Sequence, residues 1–178
     1  PPRSTLFPYT TLFRSPKVKD NPRPYLFQAS LAFLVLSAVL LVEELGLHLV
    51  VMAAAIGATT FILFVTPHSS MAKPRHVIGG HLLALLIGSV FAVSNGTPVA
   101  QDILGQSSLL INLEAALAVA ISIFIMAATD TEHAPAAGTA LGVVVHGFSW
   151  ELALFVASST VILSVVHCML RSRLRNLV

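Results

Sequence analysis

The residues of this chain best suited to chemistry fall in one short segment, 129–139, between two apolar runs. His133 is able to donate hydrogen bonds or to titrate near neutral pH. The hydroxyl groups of Thr131 and Thr139 add further donors. Pro135 stands where the start of a helix tolerates a missing N–H. Because the first turn of a helix presents free N–H groups and the positive end of its dipole, the segment favours binding of a small anion.

Small residues follow this proline. Gly138, with alanines close to it on both sides, leaves room for a ligand to approach the backbone. The same composition is common where membrane helices pack closely against each other. The sequence therefore leaves two interpretations open, a binding site and a helix contact.

Carboxylates near this segment have two interpretations as well. Asp130 and Glu132 precede the expected helix, where a carboxylate either caps the free N–H groups or exchanges protons together with His133. Glu114 lies farther back, one or two turns inside an apolar run. It is either an interfacial residue or a buried proton-sensitive group. Asp130, Glu132 and His133 are our candidates for proton coupling.

A second candidate site is the sequence Gly79-Gly80-His81 at the start of another apolar run. Two successive glycines suit a close approach to the backbone. An ionisable side chain inside a membrane span is a functional candidate by default, although a structural buried histidine is the alternative for His81. We expect Lys73 and Arg75 to be anchors at the membrane surface rather than ligands.

Metal binding and catalysis are disfavoured by spacing. The chain has seven histidines, but no two are four residues apart. We expect His68 and His76 to lie at the membrane interface, and we expect no metal and no cofactor. Ser69-Ser70 beside His68 lacks the strand-turn-helix context of a nucleophile elbow, so we expect no enzyme. A metal transporter stays as a weaker alternative.

Composition identifies the environment in which these residues act. Of the 178 residues, 56% are hydrophobic and 10% are charged, whereas a soluble domain has about 25% charged residues. This composition excludes a soluble enzyme and predicts an integral membrane protein that contacts the lipid bilayer. The net charge of +2 disfavours a nucleic-acid partner. A single cysteine, Cys168, excludes a disulfide framework.

The apolar runs are long enough for membrane-spanning helices of about 20 residues. Five runs are clear: Leu26 to Val42, Leu47 to Val65, Ile78 to Val93, Leu109 to Ala128 and Leu152 to Leu170. A sixth, His133 to Gly147, is short and either spans or re-enters; because a helix of its length reaches only about 22 Å, it must lie among protein neighbours or beside a cavity.

Placement of the basic residues favours the sixth crossing. Lysine and arginine concentrate on the cytoplasmic side of short loops, and an even number of crossings places all the basic groups after residue 15 on one side. The prediction is an all-α polytopic membrane helix bundle with about six crossings and one short span. Both termini would be cytoplasmic, in a bacterial inner (plasma) membrane.

The chain divides into three parts. Residues 1–15 contain a stretch that reads like a translated sequencing-library adapter, and we interpret them as an artefact without function. Residues 16–25 are expected to be a cytoplasmic N-terminal segment, and residues 26–178 a transmembrane domain. The turns at 66–81 and 129–146 have a similar design, which favours a repeated helical hairpin. Many small residues on the helices favour a homodimer.

Several segments resemble the HPP family of small integral membrane proteins. The resemblance rests on Gly57-Ala58-Thr59, the Pro67-His68-Ser69 turn, Ala72-Lys73-Pro74-Arg75, Gly79-Gly80-His81 and the stretch from His133 to Leu141. The family is named after a His-Pro-Pro motif, which here is His133-Ala134-Pro135, with alanine in place of the first proline. The resemblance implies a multi-helix membrane fold and, for some members, nitrite transport.

The expected function is therefore a transporter or channel for a small monovalent inorganic anion such as nitrite, bound near helix N-termini. The expected substrate-binding residues are Gly79, Gly80, His81, Thr131, His133, Pro135, Gly138 and Thr139. A structural or regulatory membrane subunit is the alternative from another class.

Overall fold

The computed structural model describes residues 21–44, 50–97 and 108–177 of the chain. Within these ranges the fold is all-helical, with six α-helices, one 3-10 turn and no strand. The adapter-like segment, residues 16–20 and the expected start of the second span at Leu47 lie outside the described residues.

The six helices match the six apolar runs. They are α1 (Arg23–Glu44), α2 (Val50–Val65), α3 (Pro74–Asn95), α4 (Ser108–Thr129), α5 (Ala134–His146) and α6 (Trp150–Leu170), and the 3-10 turn Ser70–Ala72 stands between α2 and α3. Helices α3, α4 and α6 are each long and apolar enough to cross a membrane, and the apolar parts of α1, α2 and α5 are shorter.

Successive helices run in opposite directions. Gln28, near the start of α1, donates to the carbonyl of Phe64 at the end of α2 and to that of Arg175 after α6. Arg75, at the start of α3, donates to the carbonyl of Thr129 at the end of α4. These contacts place the starts of α1 and α3 and the ends of α2, α4 and α6 at one end of the bundle.

The segment after α6 is fixed against this same end. The Tyr25 hydroxyl donates to the carbonyl of Leu177, and the Leu177 N–H donates to the carbonyl of Val65. Both ends of the described chain therefore lie together, as an even number of helices in an alternating bundle requires. The arginines at 23, 75, 171, 173 and 175 accompany them, so the basic residues gather at one end of the bundle.

The short helix α5 is enclosed by protein. It packs against α2, α3 and α4, and its buried residues include Thr139, Ala140 and Val143. It begins after His133 and ends at Gly147, whose φ of 84° is in the left-handed region that glycine tolerates. The expectation that this segment lies among protein neighbours is confirmed.

Apolar side chains cover the outside of the bundle. Phe124 and Met169 are 74% and 76% exposed, and long exposed apolar residues occur on all six helices. Inside the bundle lie histidines and threonines that are fully buried. A surface that is apolar around a partly polar interior is typical of a protein that uses lipid as its solvent, and the chain is a polytopic helical bundle.

Candidate functional site: a buried histidine pair

The start of α5 is built around His133. This residue is the N-cap, with an extended backbone (φ −141°, ψ 100°), and Pro135 stands in the first turn. Its side chain makes no capping hydrogen bond, and because His133 is itself the N-cap, the interpretation of Asp130 or Glu132 as the cap of α5 is wrong. The His133 side chain turns into the bundle and is 1% exposed.

His133 meets His81 of α3 inside the bundle. The centroids of the two imidazole rings are 5.2 Å apart, with the planes tilted by 55°. His81 Nε2 and His133 Nε2 lie 2.9 Å and 3.0 Å from the same atom, Thr59 Oγ1 of α2. His81 Nδ1 lies 2.8 Å from Thr139 Oγ1. Two histidines from different parts of the sequence thus share one hydroxyl group.

The outer side of His133 reaches the connection between α2 and α3. Its Nδ1 lies 3.0 Å from the carbonyl oxygen of Met71, which belongs to the 3-10 turn. Since a carbonyl only accepts hydrogen bonds, Nδ1 carries the proton and donates it to Met71. The histidine pair is therefore connected from Met71 near the end of the bundle to Thr139 in its interior.

Gly79 and Gly80 permit this approach. A Cβ on Gly80 would lie 2.8 Å from His133 Cβ and 3.0 Å from the Thr131 carbonyl oxygen. A Cβ on Gly79 would lie 3.0 Å from Thr131 Cγ2. Any side chain at position 80 would push residues 131–133 away from α3, so the packing of this segment requires Gly80. At Gly79 the close neighbour is a threonine side chain.

The other predicted binding residues lie around the same point. Thr131 and Pro135 are buried, and Thr131 Oγ1 is 2.9 Å from Thr129 Oγ1. Gly138 faces α2, where an added Cβ would lie 3.3 Å from Ala55 Cβ. The structure therefore brings all eight predicted residues to the contact between α2, α3 and the start of α5, and gives Gly138 the role of a helix contact.

A group of charged residues covers this end of the site. Asp130, which has a φ of 53°, pairs with Arg75 at 3.2 Å, and both side chains are exposed. His76 is buried within the protein at this end of the bundle, and its Nδ1 donates to the Glu132 carbonyl. Because Arg75 neutralises Asp130 and His76 holds the backbone of Glu132, these contacts form an ion-pair network that fixes residues 130–132.

Two open depressions flank the start of α5. One, of about 360 Å³, is lined by Met71, Met126, Glu132, His133 and Ala137 among others. The second, of about 400 Å³, lies between α2 and α5 and includes Ala58, Phe61 and Pro135. The first depression is bordered both by His133 and by Ala134 and Ala137 of the first turn of α5.

Sequence reasoning missed the residue at the centre of the pair. Thr59 stands in an apolar helix with another threonine beside it, and the resemblance that includes Gly57-Ala58-Thr59 assigned it no role. In the structure the Thr60 hydroxyl donates only to its own helix, at Ile56, while Thr59 joins the two histidines. The Met71 carbonyl was missed for a related reason, since a main-chain acceptor has no sequence signal.

The close contact between helices α3 and α5 extends beyond the site. A Cβ on Gly88 would lie 2.8 Å from Val143 Cβ and 2.9 Å from the Ala140 carbonyl. Gly80, Ala84 and Gly88 follow one another at intervals of four residues, the spacing that lets membrane helices approach closely. This spacing was a signal in the sequence from which the close contact of α3 with another helix could have been predicted.

The fold and this site define a class: a polytopic helical membrane protein with a polar centre buried between its helices. Comparison with known proteins identifies the family, since the model of the HPP transmembrane region matches residues 17–176. The chain belongs to the HPP family. It is also 33% identical over 108 residues to a transmembrane protein of Dictyostelium discoideum, covering 61% of this chain. The chain spans 35% of that relative's length. No solved structure matches the chain.

Proposed function

We propose that the protein carries a small monovalent anion across the membrane, with nitrite as the first candidate. The observation that carries the proposal is the pair His81 and His133, fully buried in an apolar bundle and adjoining an open depression at the start of a helix. Polar groups inside a membrane are costly and are kept for a function. Membership of the HPP family agrees with a membrane-transport role.

The anion would bind at the outer edge of His133. There the Nδ1–H donates to the Met71 carbonyl, which occupies the position that an anion oxygen would take. The depression that contains Met71 also contains Ala134 and Ala137 of the first turn of α5, where the helix dipole favours negative charge. An entering anion exchanges the neutral carbonyl for a charged acceptor, and hydrogen bonds to charged groups are the stronger ones.

Protons would move with the anion through residues close to His133. Glu132 lines the same depression, and Asp130 lies beside it in the ion-pair network. We assign proton exchange with solution to Glu132 and proton storage to His133. Asp130 is held by Arg75 and positions the segment.

The setting of this site is part of the proposal. The arrangement that we favour has six crossings, both termini in the cytoplasm of a bacterial cell and two copies forming a homodimer. The common end of the two described termini and the gathering of basic residues there support the even number and the orientation.

The test is uptake of nitrite, nitrate, formate and chloride into vesicles that contain the purified protein, measured against protein-free vesicles. We expect saturable nitrite uptake. The variant His133→Asn should weaken nitrite binding by roughly 10- to 100-fold, which corresponds to the about 1.5–3 kcal/mol of a hydrogen bond to a charged group.

The matched control is His146→Asn at the far end of the same helix, where Nδ1 donates only to the Gly142 carbonyl. This variant should transport normally. Absence of flux for all four anions would refute the transport proposal and favour a structural or regulatory subunit. Equal loss in both histidine variants would place the site elsewhere.

A further inference from the structure

The directions of the hydrogen bonds around Thr59 follow from the protonation of His133. A hydroxyl group has one proton to donate and two lone pairs to accept with, and Thr59 Oγ1 has three neighbours: His81 Nε2, His133 Nε2 and the Ala55 carbonyl at 3.0 Å. Since Met71 requires the proton of a neutral His133 to be on Nδ1, Nε2 of that ring must accept. Thr59 therefore donates to His133.

The rest of the chain of hydrogen bonds follows. With its proton given to His133, Thr59 accepts from His81 Nε2–H, so His81 Nδ1 is an acceptor and Thr139 donates to it. The result is one continuous relay in which Thr139 donates to His81, His81 to Thr59, Thr59 to His133 and His133 to Met71. Every polar atom of the four side chains is satisfied without any added charge.

The same atoms are satisfied equally well with one more proton. If a proton from water binds to His133 Nε2, the ring donates from both nitrogens, to Met71 and to Thr59. Thr59 then accepts from both histidines and turns its own proton to the Ala55 carbonyl, 3.0 Å away. One bond, from Thr59 to His133 Nε2, is replaced by two: that ring's own donation to Thr59 and the Thr59 bond to Ala55.

We infer that the Thr59 hydroxyl is a switch that allows the His81–His133 pair to take up one proton, which then crosses the membrane together with the anion. The inference rests on the proposed anion transport and adds its driving force. A positively charged His133 balances the charge of a bound monovalent anion. The anion and the proton therefore cross the membrane with no net charge. Thr59 acts as a positioning residue, since it contacts the histidine and not the anion.

Other charged groups lie on or next to the elements that pack around the pair, and they do not replace Thr59. They are Lys73, Arg75 and His76 at the start of α3, Asp130 and Glu132 before α5, and, toward the opposite end of the bundle, Glu114 of α4 and His146 of α5. The α2 helix contributes no titratable residue. Among these groups Glu132 lines the depression beside His133, and it is the route by which we expect the proton to arrive.

The transport test compares Thr59→Val with Thr59→Ser and Thr60→Val. In the unaltered protein a gradient of about one pH unit should drive roughly tenfold accumulation of nitrite, since a tenfold ratio corresponds to about 1.4 kcal/mol. A membrane potential should have no effect on the distribution. Thr59→Val should lose the accumulation and become sensitive to the potential, whereas Thr59→Ser and Thr60→Val should behave like the unaltered protein.

Two outcomes of this test would overturn the inference. One is proton-driven accumulation that persists in Thr59→Val, and the other is its loss in Thr60→Val, which would indicate a general effect of α2 packing. Valine has almost the shape of threonine, and Thr60 is as buried as Thr59, so the two variants differ in the hydroxyl that faces the histidines.

A second measurement is independent of transport. Nitrogen-15 NMR of histidine-labelled protein reports which ring nitrogen carries the proton, with signals assigned through His81→Gln and His133→Gln variants. We expect neutral His133 to carry its proton on Nδ1 and His81 on Nε2. A neutral His133 with its proton on Nε2 would overturn the relay whatever the flux. Absence of flux with the expected tautomers would overturn the transport proposal and leave the relay intact.

Discussion

Replacement of Gly80 by alanine tests how closely residues 131–133 are held against α3. The added Cβ would lie 2.8 Å from His133 Cβ and 3.0 Å from the Thr131 carbonyl oxygen. The Thr131 carbonyl oxygen belongs to the main chain and His133 Cβ is bonded to it, so a change of side-chain rotamer does not move either atom away. We therefore expect the segment that carries His133 to move away from α3, or the helix to shift.

The size of the effect follows from two opposing terms. Alanine in place of glycine in a helix interior stabilises by about 1 kcal/mol, while overpacking of a tight contact costs about 1–3 kcal/mol. At Gly57 an added Cβ meets nothing within 4 Å, so Gly57→Ala retains only the favourable term. The free energies of unfolding of Gly80→Ala and Gly57→Ala should therefore differ by about 1–3 kcal/mol.

The assay is unfolding of each variant in detergent micelles, with Gly88→Ala as a third variant. At Gly88 the added Cβ would lie 2.8 Å from Val143 Cβ, a similar clash about 12 Å farther along α3. Gly80→Ala and Gly88→Ala should lose similar stability, and Gly80→Ala alone should also change the NMR signals of the histidine pair. If Gly80→Ala is as stable as Gly57→Ala, the close contact between α3 and residues 131–133 is wrong.

Three other predictions concern the rest of the bundle. Gln28→Leu should lower the free energy of unfolding by about 1–3 kcal/mol, because it leaves the buried carbonyl of Phe64 and the partly buried main-chain groups of Arg175 without their partner. Ser30→Ala, on an exposed position of the same helix, should have little effect in the same denaturation assay. Ser149→Ala should cost about 1 kcal/mol, since the Ser149 hydroxyl caps α6 by accepting from the Leu152 N–H, and a loss below a few tenths of a kcal/mol in chemical denaturation would contradict it. For the orientation, Arg175→Cys is made in a protein whose exposed Cys168 is first changed to serine. The new cysteine should react with a membrane-impermeant reagent only from the cytoplasmic side. Labelling only from outside would refute the proposed orientation.

The sequence predicted the helices well because each depends on a local property. Apolar runs of sufficient length fold as helices in lipid whatever their neighbours. For example, His133 to Gly147 was identified from composition and charge placement, and α5 occupies Ala134–His146. The enclosure of this helix was also predictable, since its length is too small to face lipid alone.

The candidate site was predictable only in part. His81 and His133 were identified as polar residues in apolar surroundings. Their contact, between residues 52 positions apart in the chain, depends on how α3 packs against the start of α5. The contact depends on Gly80. The sequence shows that this position has no side chain, but it does not show that residues 131–133 pack against it. The role of Thr59 was not predictable, although Gly57-Ala58-Thr59 is part of the family resemblance, because Thr60 beside it has the same chemistry and only the direction of each side chain separates them.

The contacts of the residues before α5 were hard to predict, because each of these residues had several partners available. Capping of α5 was one of the two interpretations of Asp130, but this carboxylate pairs with Arg75 at 3.2 Å, and the N-cap is His133. His76, at the same end of the bundle, is buried within the protein, and its Nδ1 donates to the Glu132 carbonyl. Such choices depend on the arrangement of three chain segments, which local sequence does not specify.

The central claim is that a small anion binds at His133 and the first turn of α5. The most direct measurement is titration of nitrite into nitrogen-15-labelled protein, followed through the His133 ring and the main-chain amides of Ala136 and Ala137. We predict saturable changes at these positions, with His146 and His167 unchanged. Saturable changes confined to other histidines, or no saturable change at His133, would contradict the claim.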